Sequence, residues 1–233
     1  MSYPSGSSCV DGHCTLKLFQ YWDTGEPPDE VAGWIEGFRV TNPEMQHRLY
    51  DRDRASWFIG KQIGERERRA FDAIAIPSMQ SDYFRACAMA AKGGVYLDVD
   101  TEAGRPLRTL FSRAPYGMIL AWNGNFQLGL LMFRRPGDPL MRAWLDQITC
   151  NIEQRVEGNA SQLTGPGAID RVIRNSLPGS PVRTSVEKIT PITWNEAGAW
   201  IGMPIPAYKS GPRHWENWRG SPYADVSSAN SGR

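Results

Sequence analysis

Gly93-Gly94-Val95-Tyr96-Leu97-Asp98-Val99-Asp100 decides how this chain reads. Two glycines end a helical pattern, a short apolar run follows, and two aspartates one residue apart close it. An apolar run bounded in this way predicts a buried strand. Alternate residues of an extended chain point to one side, so both carboxylates can face a single ion. They stand at the carboxyl end of a strand, where open α/β sheets place their ligands. Two carboxylates beside a diphosphate form a hard, oxygen-rich site suited to Mn²⁺ or Mg²⁺. An isolated Asp-X-Asp pair fits two solvated loop aspartates equally well, so its surroundings have to decide.

Immediately upstream, 81–92 predicts a helix with Ser81 as its N-cap and Gly93 as its stop. Asp82 and Arg85 are three residues apart, so they project together from its first turn. Further back, Leu16, Leu18, Phe19, Tyr21 and Trp22 mark a first strand ending at Asp23-Thr24-Gly25. A helix over 29–39, a short strand over 46–50 and one polar helix over 52–71 follow. Downstream, strands are expected over 117–122 and 127–133, helices over 139–155 and after Thr164-Gly165-Pro166, and a last strand over 186–194. Alternating helices and apolar strands indicate an α/β fold around a mixed sheet.

The 233 residues carry 26 Lys and Arg against 25 Asp and Glu, a net charge of +1 that argues against a partner chosen by bulk charge. A hydrophobic share of 41% excludes wholesale disorder. Nine Trp are more than a core of this size needs, so some are expected to line a binding surface. The apolar stretch 117–133 is broken by Asn123, Asn125 and Gln127, which excludes a membrane span there. Segment 1–14 reads as a flexible leader without signal-peptide character, and 219–233 as a disordered Ser/Gly/Asn tail. Cys9, His13 and Cys14 lack a second Cys/His pair and read as an unpaired polar segment. Cys87 and Cys150 fall in helical patterns, and the chain is expected to be reduced and cytoplasmic.

Taken together, 81–85 and 93–100 resemble the sugar-nucleotide-binding core of glycosyltransferases that share a DXD motif. That family includes bacterial capsule and lipopolysaccharide transferases, fungal initiating mannosyltransferases and, more distantly, the clostridial glucosylating toxins. Phe19-Gln20-Tyr21-Trp22 and Pro28-Asp29-Glu30-Val31 look like its first strand and helix. Thr164-Gly165-Pro166-Gly167 is similar to its Thr-Gly-Pro turn, and His214-Trp215 with Trp218 to its terminal His-Trp signature.

The resemblance implies a GT-A fold, a Rossmann-like mixed sheet flanked by helices, as one domain over 15–218. It implies a Mn²⁺- or Mg²⁺-dependent, retaining transfer from a UDP- or GDP-sugar. Asp98 would meet the ribose or sugar, Asp100 the metal, and His214 would be a second metal ligand. Asp82 and Arg85 would hold the donor sugar and phosphates, and Trp22 would lie against the base. Asn123 and Asn125 fall where the family often places an Asn near the acceptor. The acceptor would be a carbohydrate. A phage-type enzyme acting on hydroxymethylated bases in DNA is the alternative, with Arg66, Arg68, Arg69, Arg134 and Arg135 meeting phosphate. A toxin-like transferase acting on protein is a third version. A non-catalytic nucleotide-sugar-binding module is the rival from another class. If His214 closes over the metal, 208–218 would form a lid hinged near Gly211 and Pro212.

Overall fold

The computed structural model describes residues 16–211, 214 and 216–224. Its main sheet has six strands: β1 (Lys17–Tyr21), β2 (Gln46–Tyr50), β3 (Gly94–Leu97), β5 (Gly117–Trp122), β6 (Asn125–Phe133) and β7 (Ile189–Thr193). They lie in the order β2-β1-β3-β6-β5-β7. β1 pairs in parallel with β2 and β3, and β5 in parallel with β7, while β6 runs antiparallel between β3 and β5. A two-stranded ribbon joins β4 (Glu102–Ala103) to β8 (Ile201–Gly202) just beyond the motif.

The helices are α1 (Asp29–Thr41), α2 (Arg52–Gln62), α3 (Glu65–Asp72), α4 (Pro77–Lys92), α5 (Leu107–Phe111), α6 (Pro139–Glu153), α7 (Ala160–Leu163), α8 (Pro166–Asn175), α9 (Pro181–Lys188) and α10 (Trp194–Ala197). One face of the sheet carries Phe19, Tyr21 and Tyr96 under Tyr83, Phe84 and Trp144. The other carries Leu18, Val95, Leu97 and Leu130 against Phe38, Leu107 and Ile201. Trp144 is fully buried and its indole N–H donates to the Thr164 carbonyl at 3.0 Å. Truncating a core aromatic of this kind costs roughly 3–5 kcal/mol.

The glycine pair positions the motif. Gly93 and Gly94 have φ of +61° and +90°, and a Cβ on Gly94 would stand 2.7 Å from the Lys17 carbonyl oxygen. Only glycine turns the chain from α4 into β3 so tightly against β1.

Four expectations change. The polar helix over 52–71 is two helices, because the chain is extended at Gly64, which starts α3. Ser81 is not an N-cap: α4 begins four residues earlier at Pro77, whose missing N–H costs nothing at a helix start. Asp82 and Arg85 therefore stand in the second turn of α4. Asn123 and Gly124, with φ of 48° and 78°, form a two-residue hairpin turn between β5 and β6, which the sequence reading took only as a break. Residues 221–224, expected in a disordered tail, dock instead: Tyr223 bridges Ile74 and donates to the Val156 carbonyl at 2.5 Å, and Ala224 N–H donates to the Ala73 carbonyl at 2.8 Å. One aromatic with a satisfied hydroxyl is enough to anchor that polar stretch. The expected leader 1–14, with Cys9, His13 and Cys14, and residues 225–233 lie outside the described residues.

Candidate active site

Asp98 leaves β3 with its amide still bonded to the Gly129 carbonyl of β6 at 3.0 Å. Its Oδ1 accepts from Arg85 Nη2 at 2.9 Å and from the Tyr96 hydroxyl at 3.2 Å. Arg85 is 6% exposed, lies 4.5 Å from the Tyr96 ring centroid, and donates to the Leu128 carbonyl at 2.5 Å and to Ser81 Oγ at 2.9 Å. The same guanidinium reaches Asp82 Oδ1 at 3.4 Å, and Asp82 Oδ2 accepts from Thr164 Oγ1 at 3.0 Å. Burial works against the Arg85 charge, but Asp98, Tyr96, Asp82 and Asp100 outweigh it and keep the group cationic. Burial pushes Asp82 up to about 6, against the pull of Arg85 and Thr164. It also raises Asp98, with Arg85 opposing and Asp100 adding to the rise. This is a desolvated anion–cation floor built from the second turn of α4, β3 and the turn before α8.

Behind it runs a hydrogen-bonded line. Gln20, fully buried in β1, reaches the Asp98 carbonyl at 3.5 Å and His47 Nε2 at 2.6 Å. Arg39 donates to His47 Nδ1 at 3.1 Å, so Nε2 carries the proton and donates to Gln20. Burial, then the Arg39 charge, lowers His47 to about 4.

Asp100 is held from elsewhere. The Lys209 ammonium stands 2.6 Å from its Oδ2. Lys209 belongs to a strap over 203–211 that leaves β8, which is itself paired to β4 two residues after Asp100. Tyr208 turns inward beside it, its ring edge-on to Trp22 with centroids 5.1 Å apart. Burial raises the Tyr208 phenol, and the Asp100 and Asp98 charges raise it further. Trp22 packs with Val31, Ile35 and Val99, and its buried Nε1 finds no hydrogen-bond partner among the described residues. His214 N–H bonds to the Gly211 carbonyl at 3.2 Å, and its Nδ1 lies 3.7 Å from Glu216. Burial lowers the imidazole and Lys209 lowers it further, whereas Glu216 and Asp100 raise it, so it stands within the field of Asp100. Trp215 lies outside the described residues.

The structure thus brings Asp82, Arg85, Asp98, Asp100 and Trp22 to one end of the sheet. Asn123 and Asn125 do not join them: both are exposed at the hairpin tip, where Asn125 Nδ2 donates to the Asn123 carbonyl at 3.3 Å. The arginines offered to a nucleic acid backbone are engaged within the fold. Arg66 pairs with Glu153 at 2.7 Å, Arg68 with Asp72 at 2.8 Å and Arg69 with Glu65 at 3.9 Å. Arg134 donates to the Ala114 and Phe111 carbonyls, while Arg135 is exposed. A groove of about 710 Å³ beside β2 is lined by Arg39, Arg48, Arg54 and Trp57 and by neither aspartate of the motif. Its cations are matched, Arg39 by Glu36 at 3.2 Å and Arg54 by Asp51 at 3.4 Å. Gln20, Tyr96, Tyr208 and Lys209 are site residues that the sequence reading did not single out.

Among the described residues no three His, Cys, Asp or Glu side chains form a ready metal cage. The donor chemistry nevertheless fits a hard divalent ion. Asp100 already holds a cation on Oδ2, Asp98 is two residues away, and such ions are bound through one or two carboxylates with substrate phosphates completing the shell.

Residues 28–117 match the family described as glycosyltransferase sugar-binding region containing DXD motif. The fold is similar to that of the PaToxG glycosyltransferase, at 14% identity over 87% of this chain and 84% of that one, with a TM-score of 0.53. It is also similar to the UDP-bound glycosyltransferase domain from the YGT toxin, at 9% identity over 84% and 82% of the two chains, with a TM-score of 0.55. The class is therefore a DXD-containing sugar-binding region on a GT-A-type mixed sheet. In sequence, the initiation-specific alpha-1,6-mannosyltransferase of Schizosaccharomyces pombe is 27% identical over 86 residues, 34% of this chain and 22% of that protein. The match thus spans about a fifth of that relative's length.

Proposed function

We propose that this chain is a metal-dependent, retaining glycosyltransferase that moves a sugar from a UDP- or GDP-sugar to an acceptor hydroxyl, the acceptor being a carbohydrate. The observation that carries the reading is the pair Asp98 and Asp100 at the carboxyl end of β3, each already opposed by a cation at 2.9 and 2.6 Å. We take 15–224 as one domain, since 221–224 dock on it. No helix among the described residues is long and apolar enough to cross a membrane. The thiols of Cys87 and Cys150 are unpaired, which fits the reducing cytoplasm.

In this reading Asp82 and Arg85 present their small exposed edges to the donor sugar. Arg85 also fixes Asp98, whose outer oxygen meets the ribose or sugar. Asp100, with His214 near the chain end, would hold Mn²⁺ or Mg²⁺. When bound, that ion would supply a Lewis acid for the departing diphosphate. Trp22 offers a ring and an unsatisfied N–H to the nucleotide. Breaking the sugar–phosphate bond builds negative charge on the leaving group and positive charge on the sugar ring, and the fixed carboxylates favour the latter. Asp82, Asp98 and Asp100 are each engaged by Arg85, Thr164 or Lys209, so we favour same-face attack over a carboxylate nucleophile.

The test is a panel of UDP- and GDP-sugars, each scored for Mn²⁺-dependent thermal stabilisation and slow donor hydrolysis. One donor is expected to do both. Stabilisation that survives excess EDTA counts against the metal, and stabilisation without hydrolysis points to the non-catalytic module.

A further inference from the structure

The strap over 203–211 is tied down on every side of Lys209 while the Lys209 side chain is not. β8 anchors its start to β4. The Ala207 amide donates to Glu30 Oε2 at 3.3 Å, and Tyr208 packs against Trp22. Asn217 Nδ2 donates to the Lys209 carbonyl at 3.2 Å and to the Gly211 carbonyl at 3.1 Å. The Lys209 side chain is 39% exposed, and its printed contact is the ion pair to Asp100 Oδ2. A fixed backbone carrying a four-carbon stem lets the ammonium travel several ångströms by side-chain rotation alone. Arg85 has no such freedom, being 6% exposed and bonded to four protein groups.

We propose that Lys209 is a ligand of the donor's diphosphate that caps Asp100 in the donor-free enzyme and exchanges onto the phosphate oxygens when donor and metal arrive together. This rests on the donor-binding reading above and adds a residue and an order of binding to it. Charge arithmetic supports the exchange. Without ligand, Asp98 and Asp100 are balanced by Arg85 and Lys209. A divalent ion entering alone adds two charges beside an ammonium and is disfavoured. A metal with a diphosphate adds nearly none, and the displaced ammonium then has an anion within reach. The carboxylate that would hold the metal is thereby protected from metal binding without substrate. No covalent bond changes in the exchange.

Three full-length proteins test this: wild type, Lys209→Met and Lys209→Arg. The probes are Mn²⁺ alone, followed by the free-ion electron paramagnetic resonance signal, and UDP and GDP titrated calorimetrically in EDTA and in Mn²⁺. The tighter nucleotide serves for all comparisons. Lys209→Met should bind Mn²⁺ alone several-fold more tightly than wild type, because a competing charge at contact distance is gone. It should bind the nucleotide in EDTA about tenfold more weakly, having lost a charge-assisted contact, and Lys209→Arg should recover most of that affinity. An unchanged or weaker Mn²⁺ affinity in Lys209→Met overturns the capping role. An unchanged nucleotide affinity in EDTA overturns the phosphate role. If wild type binds nucleotide equally with EDTA and with Mn²⁺, the metal dependence itself falls, and the EDTA arm still decides whether Lys209 meets the diphosphate.

Discussion

Asp98 and Asp100 are two residues apart and are held by opposite kinds of structure. Asp98 is clamped from inside the domain, by a guanidinium whose other donors end on a β6 carbonyl, a serine and a second aspartate. Asp100 is held from outside, by a flexible ammonium on a strap that arrives more than a hundred residues later. The comparison teaches what each half is suited for. A desolvated, multiply bonded carboxylate keeps a fixed geometry for a substrate hydroxyl. A carboxylate paired with one half-exposed lysine can change partners at little cost, since such pairs are worth about 0–1 kcal/mol.

The sharpest contrast should come from Asp100→Ala. Transfer should fall about a thousandfold or more, the several kcal/mol that a metal site supplies to a developing charge. The melting temperature should stay close to wild type, because only the Lys209 pair is lost from the fold. A clear destabilisation would show that Asp100 is built into the domain as Asp98 is.

Arg85→Met breaks the other half. It strands Asp98 and Asp82 beside each other in a buried site, and removing one partner of a buried ion network typically costs about 3–5 kcal/mol. Chemical denaturation should report a loss of that order together with loss of nucleotide-sugar binding. If Arg85→Met melts like Asp100→Ala, the inner clamp is not holding the floor.

Sequence patterning revealed the inner half far better than the outer one. The glycine pair, the apolar run and the i, i+3 spacing of Asp82 and Arg85 are local signals, and they place the floor even though α4 starts at Pro77 and not at Ser81. Gln20 is different: it is a polar residue in a buried strand whose purpose appears only when β2 lies beside β1. Lys209 and Tyr208 carry no local signature at all. Ala207-Tyr208-Lys209-Ser210 reads as an ordinary surface turn, and its meaning comes from the β4–β8 ribbon, two strands of two residues each, too short to show periodicity. The exposed tip Asn123-Gly124 shows the converse failure, where a strong hairpin signal was read as interruption.

The line from Arg39 through His47 and Gln20 to the Asp98 carbonyl offers a pH test of the inner half. His47 titrates near 4 in the folded protein against 6.5 for a free histidine. The unfolded chain therefore binds a proton that the folded one refuses, so this contribution is complete above pH 6.5 and is lost as pH falls toward 4. It amounts to about 3 kcal/mol at most. Asp82 acts in the opposite direction, since a carboxyl raised to about 6 makes the folded state take up a proton in an overlapping range. Comparing wild type with His47→Gln at pH 7.5 and 4.5 cancels Asp82, and the variant should lose less stability on acidification. Equal losses would show that His47 is not the buried neutral member of the line.

Gly129→Ala should give the smallest effect and the finest separation of the two halves. A Cβ at Gly129 would stand 3.1 Å from Asp98 Oδ2 and 3.6 Å from the Trp194 ring. Asp98 cannot retreat far, because Arg85 and Tyr96 hold its other oxygen. A few tenths of an ångström of displacement should reach the donor sugar, and crowding of one methyl group costs about 1–3 kcal/mol. Nucleotide-sugar affinity should therefore fall up to about tenfold with the fold kept. Mn²⁺ binding in the Lys209→Met background should not change, because Asp100 takes its cation from the strap side. If the alanine weakens Mn²⁺ binding as much as sugar binding, the two aspartates move as one rigid unit and the division between a clamped and an exchangeable carboxylate fails.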